Sequence, residues 1–96
     1  MDAKKSKKTN KRTLRCYLSR MDLAIRHWQL LGERTAKDGD AELARQYATD
    51  AADLMAFREA FAAEDFDTAG RLADAMDTIV RDQIPLQVYY TVFPNR

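Results

Sequence analysis

A thiol beside an imidazole is a nucleophile beside its base, so the lone cysteine and lone histidine, Cys16 and His27, are the first residues to weigh for chemistry. They stand eleven residues apart. On a helix that separation is about three turns, or about 16 Å, which is beyond hydrogen-bond reach. The two also cannot complete a zinc site within one chain without carboxylates. No Glu-x-x-His pair of the di-iron kind is present, and Gly32, Gly39 and Gly70 stand too far apart to form a phosphate loop. The pairs Asp50/Asp53 and Asp74/Asp77 have the i, i+3 spacing of helix-borne carboxylates, and Asp53, Asp74 and Asp77 read as solvated surface. Asp50 instead falls among apolar positions, where an unpaired carboxylate is costly. It calls for a structural partner in Arg26, His27 or Arg58, or a shift of the helix that lets it reach water, and the other reading is a functional carboxylate. These residues imply no catalytic group, metal, cofactor or small-molecule substrate.

Charge is the stronger signal. Residues 1–20 hold eight Lys and Arg against Asp2 alone, a net +7, whereas residues 21–96 hold eight against fourteen Asp and Glu, a net −6. Separation of sign along a short chain marks a basic arm on an acidic body. Lys4, Lys5, Lys7, Lys8, Lys11 and Arg12, continued by Arg15 and Arg20, attract phosphates without regard to base sequence. An acidic protein surface is the alternative target, and a solubilising tail or one folded onto the acidic body is the plain reading. Residues 1–12 lack the large apolar side chains that would repay the entropy of ordering them.

These groups need elements to position them, and 96 residues supply one domain with one core. From Thr13, the residues Leu14, Tyr17, Leu18, Met21, Ile25, Trp28 and Leu31 recur at spacings of three and four, which predicts a first helix ending near Gly32. Cys16, Leu23 and Leu30 lie seven apart on its opposite face with His27 beside them. A helix apolar on two sides is covered by a tail or shared with another chain, including its own copy in a homodimer. Glu33 to Gly39 reads as a loop, and Asp40 as an N-cap. A second helix follows to about Ala63, with Leu43, Tyr47, Leu54, Phe57 and Phe61 on one face and Ala52, Ala56, Ala60 and Ala63 outside. A third runs from near Asp67 to about Ile84, with Ala69, Leu72, Ala73, Met76, Ile79 and Val80 inside, Asp77 and Arg81 at pairing distance, and Pro85 as its stop. The last segment, Leu86 to Phe93, alternates β-branched and aromatic residues and predicts one extended strand. That strand would lie along the helices, or pair with residues 12–18, with a second copy or with another protein's sheet edge. Tyr89, Tyr90 and Phe93 join Leu23, His27 and Leu30 as interface candidates.

The turn Phe61-Ala-Ala-Glu-Asp-Phe-Asp-Thr-Ala69 resembles the inter-helix turn of a tetratricopeptide hairpin. The likeness covers one hairpin without a second copy and without the Trp, Gly and Pro of that repeat, so it implies geometry and no function. A different parsing makes residues 13–18 a strand before two helices, which resembles a ribbon-helix-helix DNA-binding dimer, but the link from Gly32 to Gly39 is long for that fold. The expectation is therefore all-α: a basic arm (1–12), a small antiparallel three-helix bundle (13–84) and an extended C-terminal tail (85–96). The expected role is that of a non-enzymatic adaptor, regulator or inhibitor that binds a protein partner through its helical body and tail. In that role the arm contacts nucleic acid or an acidic surface, and the alternative is a DNA-binding protein. The lone cysteine suits a reducing compartment, and neither a secretory leader nor a long apolar run is present, so the expected location is cytoplasmic.

Overall fold

The computed structural model describes residues 11–95, and all of its elements are helices: α1 (Lys11–Lys37), α2 (Ala41–Ala62), α3 (Phe66–Ala75), α4 (Thr78–Arg81) and α5 (Leu86–Val92). The all-α expectation holds, while the three expected helices resolve into five. Lys11 and Arg12 form the first turn of α1, and the rest of the expected basic arm lies outside the described residues. Thr13 to Leu18 is helical, which overturns the ribbon-helix-helix parsing.

Helices α1 and α2 form an antiparallel hairpin, with Gly32 against Ala44 and Tyr47 at one end and Asp22 paired with Arg58 towards the other. Met21, Ile25 and Trp28 of α1 meet Leu54, Phe57 and Phe61 of α2 in one buried cluster, which Ala69, Ala73, Met76, Val80, Ile84 and Val88 complete from the C-terminal side. The Phe57 and Phe61 rings stack with centroids 6.4 Å apart, and Phe66 follows at 5.8 Å from Phe61. Leu43 lies beyond this cluster and is exposed, so the inner face of α2 is shorter than its sequence pattern.

Gly32 does not end α1. A Cβ there would come within 3.4 Å of the Ala44 carbonyl oxygen, so this glycine lets α2 approach closely while the helix runs on to Lys37. The stop is Gly39, at φ +92°. The Asp40 amide donates to the Thr35 carbonyl at 3.1 Å and the Gly39 amide to the Ala36 carbonyl at 3.1 Å, closing the helix through a left-handed residue. Asp40 then caps α2 by accepting from the Leu43 amide at 3.0 Å.

The α2–α3 corner repeats this construction. The Asp65 amide reaches the Ala60 carbonyl at 2.9 Å, the Glu64 amide reaches the Phe61 carbonyl at 3.0 Å, and the Asp65 side chain caps α3 by accepting from the Thr68 amide at 3.2 Å. Here the left-handed residue is Glu64, at φ +58°. A side chain in that conformation is strained where glycine is not.

The expected third helix breaks at Met76, whose backbone turns extended before α4 begins. Arg81 accounts for the break: its Nε donates to the Ala73 carbonyl and its Nη2 to the Met76 carbonyl, both at 3.0 Å, so the guanidinium satisfies acceptors at the end of α3. Those bonds replace the expected pairing of Arg81 with Asp77. The break also rotates Ile79 out of the inner stripe, to 69% exposure, while Val80 is fully buried.

The C-terminal strand expectation is overturned as well, because Leu86–Val92 is helical and starts directly after Pro85. Proline's fixed φ suits a helix start, and the Tyr89 amide donates to the Pro85 carbonyl at 2.9 Å. Pro85, Val88, Tyr89 and Val92 share the inward face at helical spacing, so tertiary packing overrides strand propensity. Gly70 receives this end of the chain: a Cβ there would stand 3.3 Å from Phe93 Cε1 and 3.5 Å from Val92 Cγ1.

Relieving the left-handed strain by Glu64→Gly raises unfolding stability by about 1 kcal/mol, and Gly39→Ala lowers it by about 1 kcal/mol. Gly70→Val drives a branched side chain into Phe93 and Val92 and costs about 1–3 kcal/mol. Urea titration followed by circular dichroism checks all three, and a Glu64→Gly variant less stable than the parent contradicts the account of this corner.

Candidate interaction surface

With one face of α1 committed to the core, its opposite face is left in water. Leu23 is 72% exposed and Leu30 46% exposed, seven residues apart on one stripe with the exposed Cys16. Arg20, His27 and Arg34 interleave at the complementary helical spacing, and all three are exposed. Arg15 and Lys37 extend the cationic border at either end.

The acidic residues of α1 are already engaged. The Asp22 carboxylate accepts from Nε and Nη2 of Arg58 at 3.0 and 3.3 Å, and Arg58 also donates to Glu59 at 2.8 Å. Glu33 stands 4.0 Å from Arg26. Among the described residues, Arg15, Arg20, Arg34 and Lys37 make no ion pair. The outer face of α1 is thus an aliphatic stripe with cations beside it that make no ion pair among the described residues. The backbone of Lys11 and Arg12 lies on the same helix, whereas Lys4, Lys5, Lys7 and Lys8 fall outside the described residues.

The aromatic candidates separate from one another. Tyr89 and Phe93 pack together with centroids 4.9 Å apart and lean on the core, so most of their surface serves folding. Tyr90 stays 49% exposed, edge-on to Tyr89 at 5.9 Å. Leu86, placed by its pattern on the same strand face as Val88, is instead 60% exposed. Helical spacing through residues 85–92 is the signal that would have sorted them, and it was masked by the alternation of β-branched and aromatic residues. The two candidate regions border one cleft of about 610 Å³, lined by Arg20 of α1 together with Arg81, Asp82, Leu86 and Tyr89. A second, shallow groove of about 870 Å³ runs between α1 and α2 over Gly32, Ala36, Ala44, Ala48 and Met55; of the four alanines expected outside, only Ala52 lines it, and Ala60 is half-buried against the core.

Other chemistry-bearing residues stay apart. Cys16 and His27 share α1, so about three turns of helix keep thiol and imidazole from meeting. Among the described residues no three His, Cys, Asp or Glu side chains gather as metal ligands. Asp50 is buried, and its partner is Gln46 one turn upstream, whose Nε2 donates at 2.9 Å. None of the three expected partners serves it: Arg58 goes to Asp22 and Glu59, Arg26 faces Glu33, and His27 points to solvent. Burial, then the charges of Asp50 and Asp77, hold the Asp53 carboxyl above its ordinary value of 3.8. Asp65 moves the other way, held below 3.8 by hydrogen bonds from the Thr68 hydroxyl and amide, with Arg71 adding its charge.

These opposite shifts give opposite pH dependence. A raised carboxyl pKa means that the folded state binds the proton more tightly, so Asp53 costs stability as pH rises through and above that value. Asp53→Asn therefore stabilises the protein at neutral pH, and the gain shrinks towards 3.8. Asp65 contributes stability above 3.8 and loses it only as pH falls through its lowered value, so the pH-dependent part of the Asp65→Ala loss persists at 3.8 and closes below it. Urea midpoints measured across the acidic range separate the two.

No protein-family model, curated protein or solved structure matches this chain, and a functional reading rests on the surface of α1 and the helices beside it.

Proposed function

We propose that this chain is a non-enzymatic interaction protein that binds a polyanionic macromolecular partner in the cytoplasm. The outer face of α1 is its main contact, and residues 1–12 act as a basic arm that extends the contact. The supporting observation is the exposure of Leu23 and Leu30 between cations that have no acidic partner among the described residues. Leu23 and Leu30 share one stripe of α1 with the exposed Cys16, so they form a patch rather than singly scattered apolar residues. In this reading α1, α2 and the C-terminal helices form a small bundle that holds α1 rigid, and Leu86 borders the contact near Arg20. No helix among the described residues is long and apolar enough to cross a membrane.

Nucleic acid is the second reading. In the sequence Lys4, Lys5, Lys7 and Lys8 lead into Lys11, Arg12 and Arg15, a single run of positive charge that would attract phosphates.

Fluorescence anisotropy of the full chain against labelled duplex DNA, single-stranded DNA and poly-L-glutamate tests the proposal. Binding to at least one polyanion is expected, with an affinity that falls linearly on logarithmic axes as salt rises. For a nucleic acid, alanine at Lys4, Lys5, Lys7 and Lys8 reduces that slope by about 3–4 if each lysine neutralises a phosphate. Failure to bind any of the three at low salt overturns the polyanion reading.

A further inference from the structure

We infer that the outer seam of α1, with Cys16, Leu23 and Leu30 interleaved by Arg20, His27 and Arg34, docks an acidic amphipathic helix of another protein. The inference rests on the polyanion-binding reading above and names the partner's chemistry. Its geometric basis is the repeat: Cys16, Leu23 and Leu30 recur at steps of seven, one apolar position per heptad, and Arg20, His27 and Arg34 follow each of them four residues on, along one edge of the same stripe. An undistorted helix drifts about 20° per heptad from such a repeat, so over this length the positions stay on one stripe. From Cys16 to Lys37 the seam is about 30 Å long, enough to seat about six turns of a partner helix.

Three occupants compete for it, and charge with apolarity decides among them. A second copy in parallel register would set Arg20, His27 and Arg34 against their own equivalents, and in either direction it would join two cationic faces. Nucleic acid would satisfy the arginines but leave Leu23 and Leu30 uncovered at the centre, because phosphates offer no apolar surface. A helix with an apolar stripe and acidic borders satisfies both features at once, burying the leucines and pairing with Arg15, Arg20 and Arg34, which have no acidic partner among the described residues. At the N-terminal part of the seam Arg20 borders the cleft shared with Leu86 and Tyr89, which lets the footprint continue onto α5.

The test uses the full chain and a labelled synthetic peptide of four heptads, with Leu at the two core positions and Glu at the flanking ones. Mutual repulsion of the Glu residues disfavours pairing of the peptide with itself. A twin carrying Lys in place of Glu, and a short duplex DNA, serve as the other arms. The expected result is binding of the Glu peptide, at least about tenfold weaker binding of the Lys twin, and about tenfold or greater loss with Leu23→Glu combined with Leu30→Glu. Both leucines are exposed, so the variant should keep its helical circular dichroism, and if it does not, Leu23→Ser alone serves the same purpose. Equal binding of the two peptides, or of neither, overturns the inference. So does duplex DNA that binds unchanged when the leucines are replaced and displaces the peptide, although the polyanion reading then stands. Concentration-dependent self-association in sedimentation that the leucine substitutions abolish would assign the seam to a second copy and also overturn it.

Discussion

One constraint shapes this molecule: α1 is long, and among the described residues only one of its faces has a partner. Burial of Met21, Ile25 and Trp28 against Leu54 and Phe57 fixes the rotation of α1 about its own axis, and once that is set every residue half a turn away must face outwards. The close approach allowed by Gly32 and the bidentate bond between Arg58 and Asp22 hold the same rotation at two levels of the hairpin. Three short C-terminal helices cover the flank of the core and are too small to wrap the back of α1. The exposed leucines follow directly from that shortage of covering structure.

Much of this was legible in the sequence where a single period dominates. The three-and-four spacing from Leu14 to Leu31 identifies α1, and its residue types separate the core face from the Leu23 and Leu30 face without any structure. Reading failed where a residue has two uses. Gly32 reads as a helix end because glycine often is one, but here it serves packing, and the true end needs the left-handed Gly39. Residues 67–84 keep helical spacing throughout, and the break at Met76 depends on Arg81 reaching back to two carbonyls, a contact no local pattern encodes. For Leu86 to Phe93, alternation and propensity agree on a strand, and what overrides them is the packing of Val88, Tyr89 and Val92 against the core, with Gly70 of another helix leaving room for Val92 and Phe93.

The same distinction applies to the candidate surface. Exposure of Leu23, His27 and Leu30 could be anticipated because it depends only on their angle from the core stripe. The aromatic tail could not, since its status depends on where it docks: Tyr89 and Phe93 turn inwards, and Leu86 and Tyr90 are left outside. Asp50 shows an intermediate case. Its burial follows from helix phase, but the partner that satisfies it is a neutral amide on its own helix rather than any of the cations nearby in sequence or fold.

The way Arg81 bridges the break between α3 and α4 bears on how the molecule comes apart. Helices of four and seven residues do not persist alone in water. The segment beyond Met76 therefore holds its shape only while Val80, Ile84 and Val88 stay docked and one guanidinium keeps its two acceptors. Such a segment behaves as a cooperative unit of low local stability, opening and reclosing ahead of global unfolding, while the long hairpin keeps its amides protected.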